Sequence, residues 1–134
     1  MQIKENQKQI DKLKSCVGKD YRKRIKMNTE REVIEKLKRI LEEIGVDYSN
    51  ILLFGSRAGK DFEEESDWDF LIVIKKSLDL KEKRELWYKI YRRFHEYFPF
   101  IAIDIILKDS QSFEKEKKVA NTISNEVYLE GVKV

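Results

Sequence analysis

Three aspartates and a Gly-Ser pair are the residues of this chain that could do chemistry. Asp67 and Asp69 are two residues apart at the start of an apolar run, Trp68–Ile74. Asp104 interrupts a second one, Ile101-Ala102-Ile103-Asp104-Ile105-Ile106-Leu107. On a strand, Asp67 and Asp69 point to the same face with Cα atoms ~6.7 Å apart. Their carboxylates can then converge on metals held ~3.5–4 Å apart, the spacing of two-metal phosphoryl-transfer sites. A lone carboxylate in a strand apolar on both faces is costly without a partner. If Asp104 lies on an adjacent strand, three like charges meet and protonate unless a divalent cation neutralises them. All-oxygen ligation suits Mg²⁺, which accepts water and phosphate oxygens as its remaining ligands. The alternative is plain: Asp67 as an ordinary strand-start residue, and an Asp-x-Asp pair without consequence.

Gly55-Ser56 adds a second element. Gly55 ends the apolar run Ile51–Phe54 and allows close approach of the backbone to a ligand. Ser56 then opens a short helical turn, where free N–H groups and a hydroxyl can hold phosphate oxygens. A phosphate-binding turn beside a carboxylate metal site describes a nucleoside triphosphate site. Arg57 joins this turn and either reaches phosphate or pairs with Glu63–Glu65.

Gly55-Ser56, ten residues, then Asp67-Trp68-Asp69 resembles the G-S-x10-D-x-D signature of the DNA polymerase beta-like nucleotidyltransferase superfamily. The flanking Leu53-Phe54-Gly55-Ser56-Arg57-Ala58-Gly59 and Ser66-Asp67-Trp68-Asp69-Phe70-Leu71-Ile72-Val73 are similar to the minimal nucleotidyltransferases, its smallest branch. Asp104 matches the third carboxylate of that family. Many members read Arg-Ala-Arg-Gly after Gly-Ser, whereas here Gly59 directly follows Ala58. The resemblance implies a Mg²⁺-dependent transferase that uses ATP. Asp67 and Asp69 would bind two metal ions and the triphosphate, and Asp104 the metal that activates an acceptor hydroxyl. Gly55 would shape the turn and Ser56 would grip terminal phosphates. It further implies an antitoxin that transfers AMP onto a helical HEPN ribonuclease toxin. The alternatives are a stand-alone transferase acting on RNA or a small molecule, and a non-catalytic module that neutralises a partner by contact.

The elements that must position these residues follow from periodicity. Thr29 with Glu32 reads as a capping box, and Val33, Leu37, Ile40, Leu41 and Ile44 form one helical stripe that Gly45 ends. Strands are expected at Ile51–Phe54, Trp68–Ile74 (central, being apolar on both faces) and Phe100–Leu107. Asp79 and Glu82 cap a helix with the stripe Leu86, Trp87, Ile90, Tyr91, Phe94 and Phe98, which Pro99 stops. Trp87 and Tyr91 read as core, and Trp68 as packed away from the aspartates. A last helix is expected over Ser112–Tyr128, with an edge strand at Val132–Val134. The fold class is α/β (α+β), a small mixed sheet covered by helices, with the palm-like fold of the nucleotidyltransferases.

The 134 residues suit one domain. Residues 1–28 carry nine Lys or Arg against Glu5, Asp11 and Asp20, which leaves them at +6 within a chain of net charge +3. They read as a basic extension, with Ile10, Leu13, Val17, Tyr21 and Ile25 at helical spacing, ahead of a nucleotidyltransferase domain at 29–134. Such an arm permits contact with nucleic acid, though a solvated helix face has the same composition. Cys16 is the only cysteine, so no intramolecular disulfide or cysteine metal cluster can form. His95 is the only histidine and reads as an exposed residue rather than a metal ligand. The longest apolar run, Phe98–Ile103, falls far short of the ~20 residues that cross a bilayer. With no signal-peptide core, a soluble cytoplasmic protein is expected.

Overall fold

A computed structural model describes residues 30–59 and 67–134. The expected arm helix, Thr29 and Glu63–Glu65 lie outside the described residues. The chain divides into two compact units, Met1–Leu37 and Lys38–Val134.

Helix α1 covers 30–44. Its stripe is realised, with Val33, Leu37, Ile40 and Leu41 all fully buried. Gly45 ends it at φ +86°, and the Val46 N–H reaches back to the Leu41 carbonyl at 2.9 Å. A left-handed residue there turns the chain while satisfying the last carbonyls.

Four strands form one mixed sheet: β1 (Tyr48–Phe54), β2 (Trp68–Ile74), β3 (Ile103–Asp109) and β4 (Val132–Lys133), in the order β3-β2-β1-β4. β1 pairs antiparallel with both β2 and β4, and β2 pairs parallel with β3. Every residue of β2 except Asp69 is buried, as expected of a central strand covered on both faces. The parallel crossover from β2 to β3 runs through α2 (Leu80–Tyr97). Asp79 caps that helix, accepting from the Glu82 N–H at 2.8 Å in a full capping box. Ile90 and Phe94 are its buried residues. Trp87 and Tyr91 are only half-buried. They stack on each other at 4.8 Å, and the Trp87 indole N–H donates to the Ile105 carbonyl at 2.9 Å. Trp87 thus lies against β3, stacked with Tyr91 and partly exposed, while Ile90 and Phe94 fill the core.

The other face of the sheet is covered by α3 (Ser110–Glu116) and α4 (Ile123–Glu130). Phe54, Leu71 and Val73 meet Phe113 and Val127 there, with Leu52, Ile106 and Ile123 against them. The single helix expected over Ser112–Tyr128 is broken in two. α3 ends at Glu116, the chain turns over 117–122 with Asn121 at φ +68°, and Thr122 caps α4 by accepting from the Asn125 N–H at 3.0 Å. A second correction concerns β3. It begins at Ile103, not Phe100, and Phe100 is 74% exposed.

Candidate active site

Strand register decides which side chains meet at the end of the sheet. Phe54, the last residue of β1, stands opposite Asp69, and Asp69 stands opposite Asp104. Residues on one rung of a sheet project to the same face. The Asp69 and Asp104 carboxylates therefore lie just beyond the Phe54–Leu71–Phe113 cluster, at the N-terminal ends of two parallel strands. Asp67 directly precedes β2 and is exposed.

The electrostatics of the three are uneven. The Asp69 carboxyl is pushed above its ordinary value, first by burial, then by the negative charges of Asp104 and Asp67. Asp104 is exposed, which corrects the expectation of a carboxylate enclosed by apolar neighbours. It is the second residue of β3, at the sheet's end, so water reaches it although its strand neighbours Ile103 and Ile105 are buried. What constrains Asp104 is its registration beside Asp69, not burial. Among the described residues, no three carboxylate, histidine or cysteine side chains converge closely enough to hold a metal ion unaided. That does not disqualify the donor set, because Mg²⁺ is commonly held by one or two carboxylates with substrate phosphates and water.

The turn after β1 is a single 3₁₀ turn, Gly55–Ala58. Gly55 adopts φ +71°, and a Cβ on it would collide with the Asp69 carboxylate. Glycine is thus required twice, by conformation and by the space Asp69 occupies. Sequence reasoning assigned Gly55 to ligand approach and missed this contact, because no motif spacing reveals which cross-strand neighbour fills the space. Ser56 is exposed, and no side chain caps the start of the turn. Arg57, by contrast, is only 7% exposed, with its guanidinium 4.1 Å from the centre of the Trp68 ring. Trp68 is buried, as expected, and stacks on Phe70 at 6.0 Å. The Arg57–Trp68 pair was also invisible in the sequence, where ten residues separate the two.

His95 is tucked in rather than exposed. Its ring nitrogens lie 3.1 Å from the carbonyls of Tyr91 and Ile101, so it ties the end of α2 to the segment entering β3. No helix among the described residues is long and apolar enough to cross a membrane.

Comparison with known proteins agrees with this arrangement of strands and turn. A 104-residue stretch is 34% identical to a protein of Methanocaldococcus jannaschii named "Putative protein adenylyltransferase", covering 77% of this chain and 96% of that one. Residues 35–129 match the family described as polymerase beta, nucleotidyltransferase. With the match running from α1 into α4 and taking in the whole β1-turn-β2-β3 frame, the chain belongs to the polymerase beta nucleotidyltransferase family and is a nucleotidyltransferase.

Proposed function

We propose that the protein transfers AMP from ATP onto a hydroxyl of a partner protein in the cytoplasm, using Mg²⁺. The observation that carries this reading is the Phe54–Asp69–Asp104 rung, with Gly55 set against the Asp69 carboxylate. The Gly55–Ala58 turn, Asp69 and Asp104 share one end of the sheet, with Asp67 next to Trp68 in the chain. The relative's name, a protein adenylyltransferase, supports a protein as acceptor.

In this reading Asp67 and Asp69 hold Mg²⁺ together with the triphosphate, and Asp104 holds the metal at the acceptor side, two ions in all. When bound, Mg²⁺ neutralises phosphate charge and makes the acceptor hydroxyl more acidic. Ser56 donates its hydroxyl to the terminal phosphates, and the uncapped turn presents backbone N–H groups beside it. The acceptor oxygen attacks the α-phosphorus in line while the bond to pyrophosphate breaks. The hydroxyl proton passes to Asp104 or to water. Such chemistry needs mainly positioning and charge neutralisation.

The partner we favour is a helical HEPN-type ribonuclease toxin encoded beside this protein, with tyrosine as the acceptor. In-line transfer asks mainly that an acceptor hydroxyl be positioned, and a docked protein would complete the site by supplying one. The second reading is an RNA acceptor, favoured by the nine basic residues among 1–28. The test is to incubate the protein with its neighbour's product, ATP and Mg²⁺, and to record the intact mass of both. AMP additions on the neighbour that vanish with Asp69→Asn support the proposal. An unmodified neighbour, with labelled AMP on RNA instead, moves the assignment to the second reading.

A further inference from the structure

Arg57 belongs to the turn assigned to phosphate, yet it is the one buried residue of that turn. Its guanidinium covers the face of Trp68, which is itself 1% exposed and stacked on Phe70 with an 8° angle between the rings. Trp68 sits between Asp67 and Asp69 in sequence, and strand alternation points it to the face opposite Asp69. Two residues before Arg57, Gly55 lies against the Asp69 carboxylate. The turn therefore grips the start of β2 from both faces, through Gly55 on one side and Arg57 on the other, with Ser56 between them. The Trp68 N–H also donates to the Ala102 carbonyl at 3.0 Å, tying the same residue to the segment that leads to Asp104.

A guanidinium stacked on an indole away from water is one of the stronger cation–π contacts. Swinging Arg57 outward to a phosphate would strip the indole of that cover and leave apolar surface bare. Resting on the nucleotidyl-transfer reading above, we propose that Arg57 is a positioning residue for the reaction. Through Trp68 it locks the phosphate-binding turn to the strand that carries Asp67 and Asp69, and it does not itself hold the triphosphate.

The two roles differ in what they predict. A phosphate ligand adds affinity that grows with the number of phosphates, and lysine replaces it tolerably as a point charge. A strut adds no such dependence, and lysine fails because it lacks the planar face. We would compare Arg57→Gln, Arg57→Lys, Trp68→Phe and the double variant Arg57→Gln/Trp68→Phe. Each is titrated calorimetrically with AMP, ADP and ATP in Mn²⁺, and assayed for AMP transfer as above.

For Arg57→Gln the maximal transfer rate should fall roughly ten- to a hundredfold, the scale of a small misplacement of reacting groups. The ratio of ATP to AMP affinity should stay that of the natural protein. Arg57→Lys should recover little of the rate. Trp68→Phe, which keeps a ring, should slow transfer less, and the double variant should be no worse than Arg57→Gln. An Arg57→Gln protein that loses ATP affinity but keeps AMP affinity would overturn the proposal, as would full rescue by lysine. So would a lowered melting temperature with an unchanged transfer rate. If Arg57→Gln does not fold, Trp68→Phe still decides: slower transfer at unchanged nucleotide affinity supports the strut, and an unchanged rate rejects it. Failure of the underlying reading looks different. There the unsubstituted protein would bind ATP equally in Mn²⁺ and in EDTA.

Discussion

The β2–β3 pair carries a carboxylate at each end of β3, and the two ends use it in opposite ways. At one end Asp104 is registered beside Asp69, and the Asp69 carboxyl is raised by burial and by its two acidic neighbours. At the other, Asp109 is registered beside Ile74 and caps α3, accepting from the Ser112 N–H at 3.0 Å. Its carboxyl is held below the ordinary value, first by the Ser112 backbone, then by the Ser112 side chain, with Lys83 contributing. Polar groups near Asp109 are paired as well. The Ser110 hydroxyl donates to the Ile74 carbonyl, and the nearby Glu116 accepts from Lys108 and Ser124. The charges that shift Asp69 are both negative, those of Asp104 and Asp67. Like charges gathered at one end, opposite an end whose polar groups are paired, are what the proposed Mg²⁺ site would require.

The sharpest way to break that contrast is to neutralise the crowded end. Asp69→Asn should lower AMP transfer by about three orders of magnitude, the scale of losing a principal charge-stabilising group. The metal-free protein should nevertheless melt at a higher temperature at pH 7, because like-charge repulsion is relieved. If transfer survives, Asp69 is no part of the site. A fall in melting temperature would mean its carboxylate is structural.

Glycine offers the next comparison. Gly55→Ala forces a side chain into the left-handed region and into the Asp69 carboxylate, and should cost about 1–3 kcal/mol and most of the activity. Gly45→Ala meets the same backbone demand with open space around it, so about 1 kcal/mol and full activity are expected. Thermal melts and the transfer assay on both proteins check this. Equal activity in the two would remove the argument that Gly55 serves the site.

At the satisfied end, Asp109→Ala should cost about 0.5–1 kcal/mol, the lower range for a lost helix cap at a part-exposed position, with transfer intact. Loss of transfer here would mean the two ends of β3 are not independent.

The smallest effect is in pH, and its sign differs between the ends. Asp109 has a lowered folded pKa, so its stabilisation is present above the unfolded carboxyl value and is lost as pH falls through the folded one. Asp69 has a raised folded pKa, so the folded state holds its proton longer, and stability falls as pH rises through that raised value. Melting curves of Asp69→Asn and Asp109→Ala should therefore approach the unsubstituted protein's as pH drops below the ordinary carboxyl range. They should approach it from opposite sides. Two differences of the same sign would refute the contrast.

Much of this was legible in the chain itself, where the determinants are local. Gly55-Ser56 and Asp67-x-Asp69 are close in sequence, and β2 announces itself through the unbroken apolar run Phe70–Ile74. The Asp79–Glu82 box and Pro99 bracket α2 because caps and breakers act within a few residues of themselves. Asp104 was noticed for its apolar neighbours, a reason the fold does not honour, since the carboxylate stands at the exposed end of its strand. The break over 117–122 was missed because it holds neither glycine nor proline, and Asn121 takes the left-handed conformation in their place.

Residue types and spacing alone located the Gly55-Ser56 turn, the Asp67-x-Asp69 pair and the strands beside them. Only the tertiary structure decided which strands are neighbours. Pairing register is set by the packing of whole faces, so the Phe54–Asp69–Asp104 rung, the space taken from Gly55 and the Arg57–Trp68 stack exist only once β1, β2 and β3 lie side by side.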